Sequence, residues 1–152
     1  MRLTTKGRFA VTAMLDLALQ VDRHPIALSD ISQRQHISLS YLEQLFSKLR
    51  QAGLVTSTRG AHGGYILSKE TKDISVASII EAVDEYMDNT KCLGRKNCRG
   101  PNRCCITHDL WVSVNQVINH HFEHIYLADL VDNHQKNGVE LNQECTQIFG
   151  YT

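Results

Sequence analysis

A helical stripe followed at once by a glycine-rich hairpin limits this chain more than any other feature. Leu42, Leu45, Phe46 and Leu49 fall at i, i+3, i+4 and i+7 and so share one face of a helix. The stripe opens on Ser40-Tyr41-Leu42-Glu43, the Ser-x-x-Glu spacing of a capping box, which predicts Ser40 as the cap. Upstream, Ser29-Asp30-Ile31 reads as the cap and start of a shorter helix that ends near His36. Two short helices across a tight turn predict a helix-turn-helix. Past Gly53, β-type runs at Leu54–Ser57 and Tyr65–Leu67 flank Thr58-Arg59-Gly60-Ala61-His62-Gly63-Gly64. Strands joined by such a connection form a hairpin, and a hairpin directly after a helix-turn-helix predicts a wing. Before all this, Thr4 or Thr5 can cap a first helix with Ala10, Met14, Leu17 and Ala18 on its buried face.

If the stripe points inward, the opposite face of its helix presents Ser40, Tyr41, Glu43, Gln44, Ser47 and Lys48. These side chains suit a major groove. Glutamine pairs with adenine, glutamate accepts from the cytosine amine, and Lys48 with Arg50 can reach phosphate. Glu43 has a second role open to it, as the N3 member of the capping box. Arg59 beside Gly60 lies at the wing tip, where a guanidinium can enter a narrow minor groove; its alternative is a solvated surface arginine. Gly63 and Gly64 read as turn chemistry, because no phosphate-loop pattern surrounds them. Arg2, Lys6 and Arg8, before or on the first helix, suit contacts to the DNA backbone.

Charge supports the division. The chain of 152 residues has zero formal net charge, yet residues 1–73 hold ten bases and six acids, +4, and residues 74–152 hold six and ten, −4. Within the second half, Lys91, Arg95, Lys96, Arg99 and Arg103 form a basic loop in an acidic frame. With 42% hydrophobic and 21% charged residues the composition is globular. No apolar run approaches the roughly 18 residues of a membrane span, and no export signal follows Met1, so a cytoplasmic location without a membrane partner is expected.

Ser75 can cap a helix through about Met87, with Ile79, Ile80 and Val83 apolar. Beyond a polar loop, Leu110, Trp111, Val114, Ile118 and Ile125 lie near heptad spacing and predict one long helix, with Val117 and Phe122 broadening the stripe. So small a chain has little left to cover it, which predicts a homodimer. The fold class expected is therefore mostly α with a small β-hairpin wing: a winged helix-turn-helix plus a long dimerisation helix. The domains expected are 1–73 for DNA binding, 74–134 for the cysteine loop and dimerisation helix, and 135–152 as a disordered tail.

The loop between these helices carries Cys92, Cys98, Cys104 and Cys105, with His108 three residues on. In a reducing compartment such clustering favours metal binding over disulfides. Three thiolates and an imidazole can hold tetrahedral zinc or a 2Fe-2S cluster. Zinc favours tight C-x2-C turns, whereas five residues separate Cys92 from Cys98, which leans toward the cluster. The loop's bases would offset sulfide and thiolate charge and donate hydrogen bonds to sulfur. His120, His121 and His124 form a second apparent group, but no carboxylate or cysteine at ligand spacing is expected to complete it, and they read as dimer-surface histidines. Cys145 reads as a thiol in a polar tail. No nucleophile-base pair, paired carboxylates or cofactor fingerprint appears, so an enzyme is not expected.

The stretches Met1–Val11, Ile37–Phe46, Arg59-Gly60 with Gly63-Gly64-Tyr65, and the cysteine loop together resemble the IscR-type iron–sulfur cluster regulators, from residue 1 to about 134. The resemblance implies a dimeric winged-helix transcription factor that binds a 2Fe-2S cluster through three cysteines and a histidine. Loaded, it would repress the operon for cluster assembly, whose machinery would supply the cluster; apo forms act at a second class of promoter. By matching position it implies Ser40, Tyr41, Glu43 and Gln44 at a major groove of an operator and Arg59 at a minor groove. The family pattern is Cys-x5-Cys-x5-Cys-x2-His, and this loop has one residue too many. Counting forward from Cys92 reaches Cys104, and counting back from His108 reaches Cys105. An i, i+3 placement of Cys105 and His108 on one face at the start of the long helix favours Cys105. The wing also departs from the family, with Ala61-His62 where proline and glycine are frequent. Related sensing of nitric oxide or iron through the same loop, and a zinc-stabilised module without DNA binding, remain as alternatives.

Overall fold

The computed structural model describes residues 5–20, 24–60, 62–84 and 105–138. Cys92, Cys98, Cys104, Arg2 and Ala61 lie outside the described residues, as does the tail beyond 138. Helix α1 spans Thr5–Leu19 and buries Ala10, Ala13, Met14 and Leu17. Helix α2 spans Leu28–Gln35 and α3 spans Leu39–Gln51, whose buried residues are Leu42, Leu45, Phe46 and Leu49, the stripe read from spacing. The turn between them is made by His36, in the left-handed region at φ 54°, and by the Ser32 hydroxyl donating to the Ile37 carbonyl at 2.6 Å.

Helix starts depart from the sequence expectation. Helix α3 begins at Leu39 with Ser38 as its cap residue, and no side-chain capping bond forms. The Ser38 and Ser40 hydroxyls pair with each other at 3.0 Å, so Ser40 and Glu43 do not make a capping box. Two hydroxyls satisfied by one another leave the first backbone N–H groups of the helix to other acceptors. Likewise Ala27, not Ser29, precedes α2, and the Ser29 hydroxyl donates to Asp30. Ser75 does cap its helix, accepting from the Ser78 N–H at 3.1 Å.

Strands β1, Val55–Thr58, and β2, Gly64–Leu67, pair antiparallel with Val55 opposite Leu67 and Thr58 opposite Gly64. Ile26 adds a third edge through two backbone bonds with Tyr65, of 3.0 and 2.8 Å. A short 3-10 turn at Thr71–Asp73 leads to α4, Val76–Ala82. The described residues of the C-terminal part form two helices, α5 at His108–Glu123 and α6 at Leu127–Gly138, where one long helix was expected. The break at His124-Ile125-Tyr126 has a physical cause. The Ile125 carbonyl accepts from Val76 N–H and the Leu127 N–H donates to the Ile74 carbonyl, both at 2.8 Å. These bonds take the backbone groups that would have continued the helix. Tyr126 N–H then donates to the Asp129 carboxylate at 2.8 Å, starting α6 anew.

One buried cluster joins α1, α2, α3 and β1 to Ile74, Ile79, Val83 and Leu127, so the core continues across residue 73. Each large apolar side chain fully withdrawn from water there contributes roughly 1.5–3 kcal/mol. No helix among the described residues is long and apolar enough to cross a membrane.

Candidate nucleic-acid interface and metal-ligand loop

With Leu42, Leu45, Phe46 and Leu49 turned into the core, α3 leaves Ser40, Glu43 and Gln44 exposed and Ser47 and Lys48 half-exposed. Glu43, freed of a capping duty, makes no ion pair among the described residues. Tyr41 belongs partly to the packing: it is half-buried, its ring edge-on to Phe9 with centroids 5.9 Å apart. Arg59 is exposed just after β1, next to Gly60 at φ 121°. The wing glycines serve close approach. A Cβ on Gly64 would lie 2.4 Å from the Ile26 carbonyl oxygen, and one on Gly63 2.6 Å from that of Thr58. Arg50 links α3 to the wing, donating to the Ser57 hydroxyl at 3.4 Å.

Lys48 is not simply offered to phosphate. Its ammonium pairs with the Asp84 carboxylate, which follows α4 in a left-handed conformation at φ 54°. The Lys48 contact, reinforced by Lys6, holds the Asp84 carboxyl below the usual carboxylate range, and Asp84 in turn raises Lys48. An acid from the negatively charged half thus reaches the basic face. Nothing in the local spacing of Lys48 pointed to it, since 36 residues separate the pair.

A second pairing orients the helix-turn-helix from behind. Asp16 of α1 is almost fully buried, and its carboxylate accepts from Arg34 Nε at 3.1 and 3.2 Å, from a terminal guanidinium nitrogen at 2.6 Å and from Gln35 at 2.6 Å. These contacts raise the Arg34 pKa, chiefly through the hydrogen bond to Asp16. The visible signal was an acid inside the otherwise apolar run of α1.

Of the five cysteine-loop ligand candidates, Cys105 and His108 are among the described residues. Helix α5 starts at His108 rather than before Cys105, so the two are brought together by a turn, with His108 N–H donating to the Cys105 carbonyl at 2.9 Å. Cys105 is half-buried and His108 is 7% exposed. A shielded thiol and imidazole one turn apart suit soft metal coordination. The histidines farther along α5 also differ from expectation. Glu123 joins His120 and His124, with ligand atoms all within 4.8 Å of one another. The sequence signal was present, because i, i+3 and i+4 share a helix face.

A helix-turn-helix, a wing and polar side chains on the free face of the second helix define a winged-helix DNA-binding regulator. The chain belongs to the Rrf2 family of iron-dependent transcriptional regulators, whose model matches residues 3–133. Curated relatives include the HTH-type transcriptional regulators IscR of Yersinia pseudotuberculosis, 56% identical over 133 residues covering 88% of this chain and 80% of the relative, and of Serratia proteamaculans, 55% identical over the same shares. Among solved structures, T. potens IscR superposes with a TM-score of 0.71 at 34% identity, covering 99% of this chain and 95% of that one. CymR, the global cysteine regulator of B. subtilis, gives 0.74 at 32% identity over 88% and 98%. The protein is a DNA-binding transcription regulator.

Proposed function

We propose that this regulator senses iron–sulfur cluster supply through a 2Fe-2S cluster held by Cys92, Cys98, His108 and either Cys104 or Cys105. The observation that carries the reading is the shielded Cys105–His108 turn at the root of α5, in a family described as iron-dependent. When bound, the cluster supplies a charge that this chain's own loop bases offset. Residues 1–73 serve as the DNA-binding domain. Ser40, Tyr41, Glu43 and Gln44 address the major groove of an operator, Arg59 the minor groove, and Arg2, Lys6 and Lys48 the phosphates. Residues 74–134 carry the cluster and dimerise, with α5 as the interface and 135–152 as a tail outside both functions. The cytoplasmic cluster-assembly machinery is the donor, and the loaded dimer represses the genes for that machinery, so scarcity restores their expression.

Anaerobic purification followed by visible absorption and metal analysis tests this. The expected result is a coloured protein with two irons and two sulfides per chain, and loss of the colour in only one of Cys104→Ala and Cys105→Ala. A colourless protein holding stoichiometric zinc overturns it.

A further inference from the structure

The last turn of α5 carries a set of metal-ligating side chains separate from the cysteine loop. His120, Glu123 and His124 are exposed, and one ligand atom from each lies within 4.8 Å of the others. Their i, i+3, i+4 spacing places three donors on one helix face. The two imidazole rings stand with centroids 4.1 Å apart. His124 Nδ1 lies 2.7 Å from the His120 carbonyl oxygen. A carbonyl only accepts, so this nitrogen carries the hydrogen, and in the neutral imidazole Nε2 is the ligating nitrogen. Backbone carbonyls orient ligating histidines in this same manner. Glu123 makes no ion pair among the described residues, so its charge is available to a cation. The order His-x-x-Glu-His also occurs in metalloproteases, where the glutamate acts as a base in a cleft. Within one chain the three side chains are exposed and not set in a cleft, which suits a binding site in which the glutamate is itself a ligand.

We propose that His120, Glu123 and His124 bind a divalent first-row transition-metal ion, with two imidazole nitrogens and one carboxylate oxygen as protein ligands and water completing the shell. Two nitrogen donors select against calcium and magnesium, and the lack of a thiolate in the set suits zinc, nickel, copper or ferrous iron. The site sits where α5 stops, and His124 is the residue after its end. The next residue, Ile125, is bonded to Val76 of α4. A bound ion ties this corner to the last turn of α5.

The test uses full-length protein stripped with EDTA, dialysed to equilibrium against zinc chloride, with bound zinc counted per chain. Wild type is compared with His120→Ala/His124→Ala, Glu123→Gln and His121→Ala. All four keep every cysteine, so thiol-bound zinc cancels and the result is independent of the cluster reading. Alanine at the exposed helical position 120 favours the helix, and His124, just past the helix end, lies outside the buried cluster, so the fold is retained. Wild type is expected to hold one zinc more than the double variant, with Glu123→Gln weakening that ion roughly tenfold and His121→Ala leaving it unchanged. Zinc should raise the melting temperature of wild type more than that of the double variant, and copper should bind more tightly than zinc. Equal zinc in wild type and double variant overturns the proposal, as does an equal loss in His121→Ala.

Discussion

Asp16 is the residue on which the helix-turn-helix is hung. The residue is 4% exposed, and its carboxylate holds Arg34 and Gln35, the last turn of α2, against α1. The two ends of the pair are not equivalent. Arg34→Met leaves a buried carboxylate with Gln35 as its remaining donor, which costs about 3 kcal/mol. Asp16→Asn keeps an acceptor, and the half-exposed guanidinium regains water, so the cost is about 1 kcal/mol. Urea unfolding of both variants checks the order, and a smaller loss for Arg34→Met contradicts it. The exposed Lys48–Asp84 pair behaves differently with pH. Asp84 is lowered in the folded state, so its contribution is present above the unfolded carboxylate range near pH 4 and is lost as pH falls through the lowered value. Lys48 is raised, so its contribution holds below the unfolded lysine range and disappears as pH rises through the raised value. Asp84→Asn should therefore flatten the acid limb of urea midpoint against pH while leaving the shape between pH 6 and 8 unchanged.

At the scale of elements, the wing is held at its root by Ile26, while Arg59 near its tip is exposed. Gly64→Ala puts a methyl against the Ile26 backbone, so the Ile26–Tyr65 bridge must open and both its hydrogen bonds are lost, at about 2 kcal/mol. Hydrogen exchange should then show lost protection at the Ile26 and Tyr65 amides. Arg59→Ala leaves the fold intact but weakens operator binding, most at A·T-rich flanks, by titration of labelled operators; equal binding by mutant and wild type refutes the minor-groove assignment. The α3 stripe and the hairpin were legible because periodicity records burial directly: Leu42, Leu45, Phe46 and Leu49 are all buried where 3.6-residue spacing put them. Helix ends were not, because Ser38 and Ser40 offer the same hydroxyl chemistry two residues apart. Apolar spacing carried Ile125 into a long helix, yet two backbone bonds from Ile74 and Val76, distant in sequence, decided that stretch. Glu123 was legible and overlooked, since its spacing to His120 needed no tertiary information. The Lys48–Asp84 and Asp16–Arg34 pairs join residues far apart in sequence, and periodicity says nothing about such partners.

For the molecule as a whole, the neutral total conceals a basic half, an acidic half and one acid, Asp84, that crosses between them to neutralise part of the basic half. In the proposed reading, affinity for DNA then rests on a few phosphate contacts made twice more than on bulk attraction. In that reading helix α5 supplies the means of doubling. Of its 16 residues only His108 is buried, while Leu110, Trp111 and Val117 are 55%, 41% and 68% exposed. In the dimer proposed above, this exposed apolar face packs against a second copy, and a two-fold pairing presents two recognition helices to successive major grooves, about 34 Å apart. The operator is then a pseudo-palindrome. Leu110→Asp/Val117→Glu, which touches neither the helix-turn-helix nor its core, should sediment as a monomer and retain the thermal transition of the winged-helix core. It should lose about two orders of magnitude in affinity for the full operator, and far less for a single half-site, because the second half-site no longer benefits from the first. A double variant that still sediments as a dimer and binds the full operator unchanged would place the interface elsewhere.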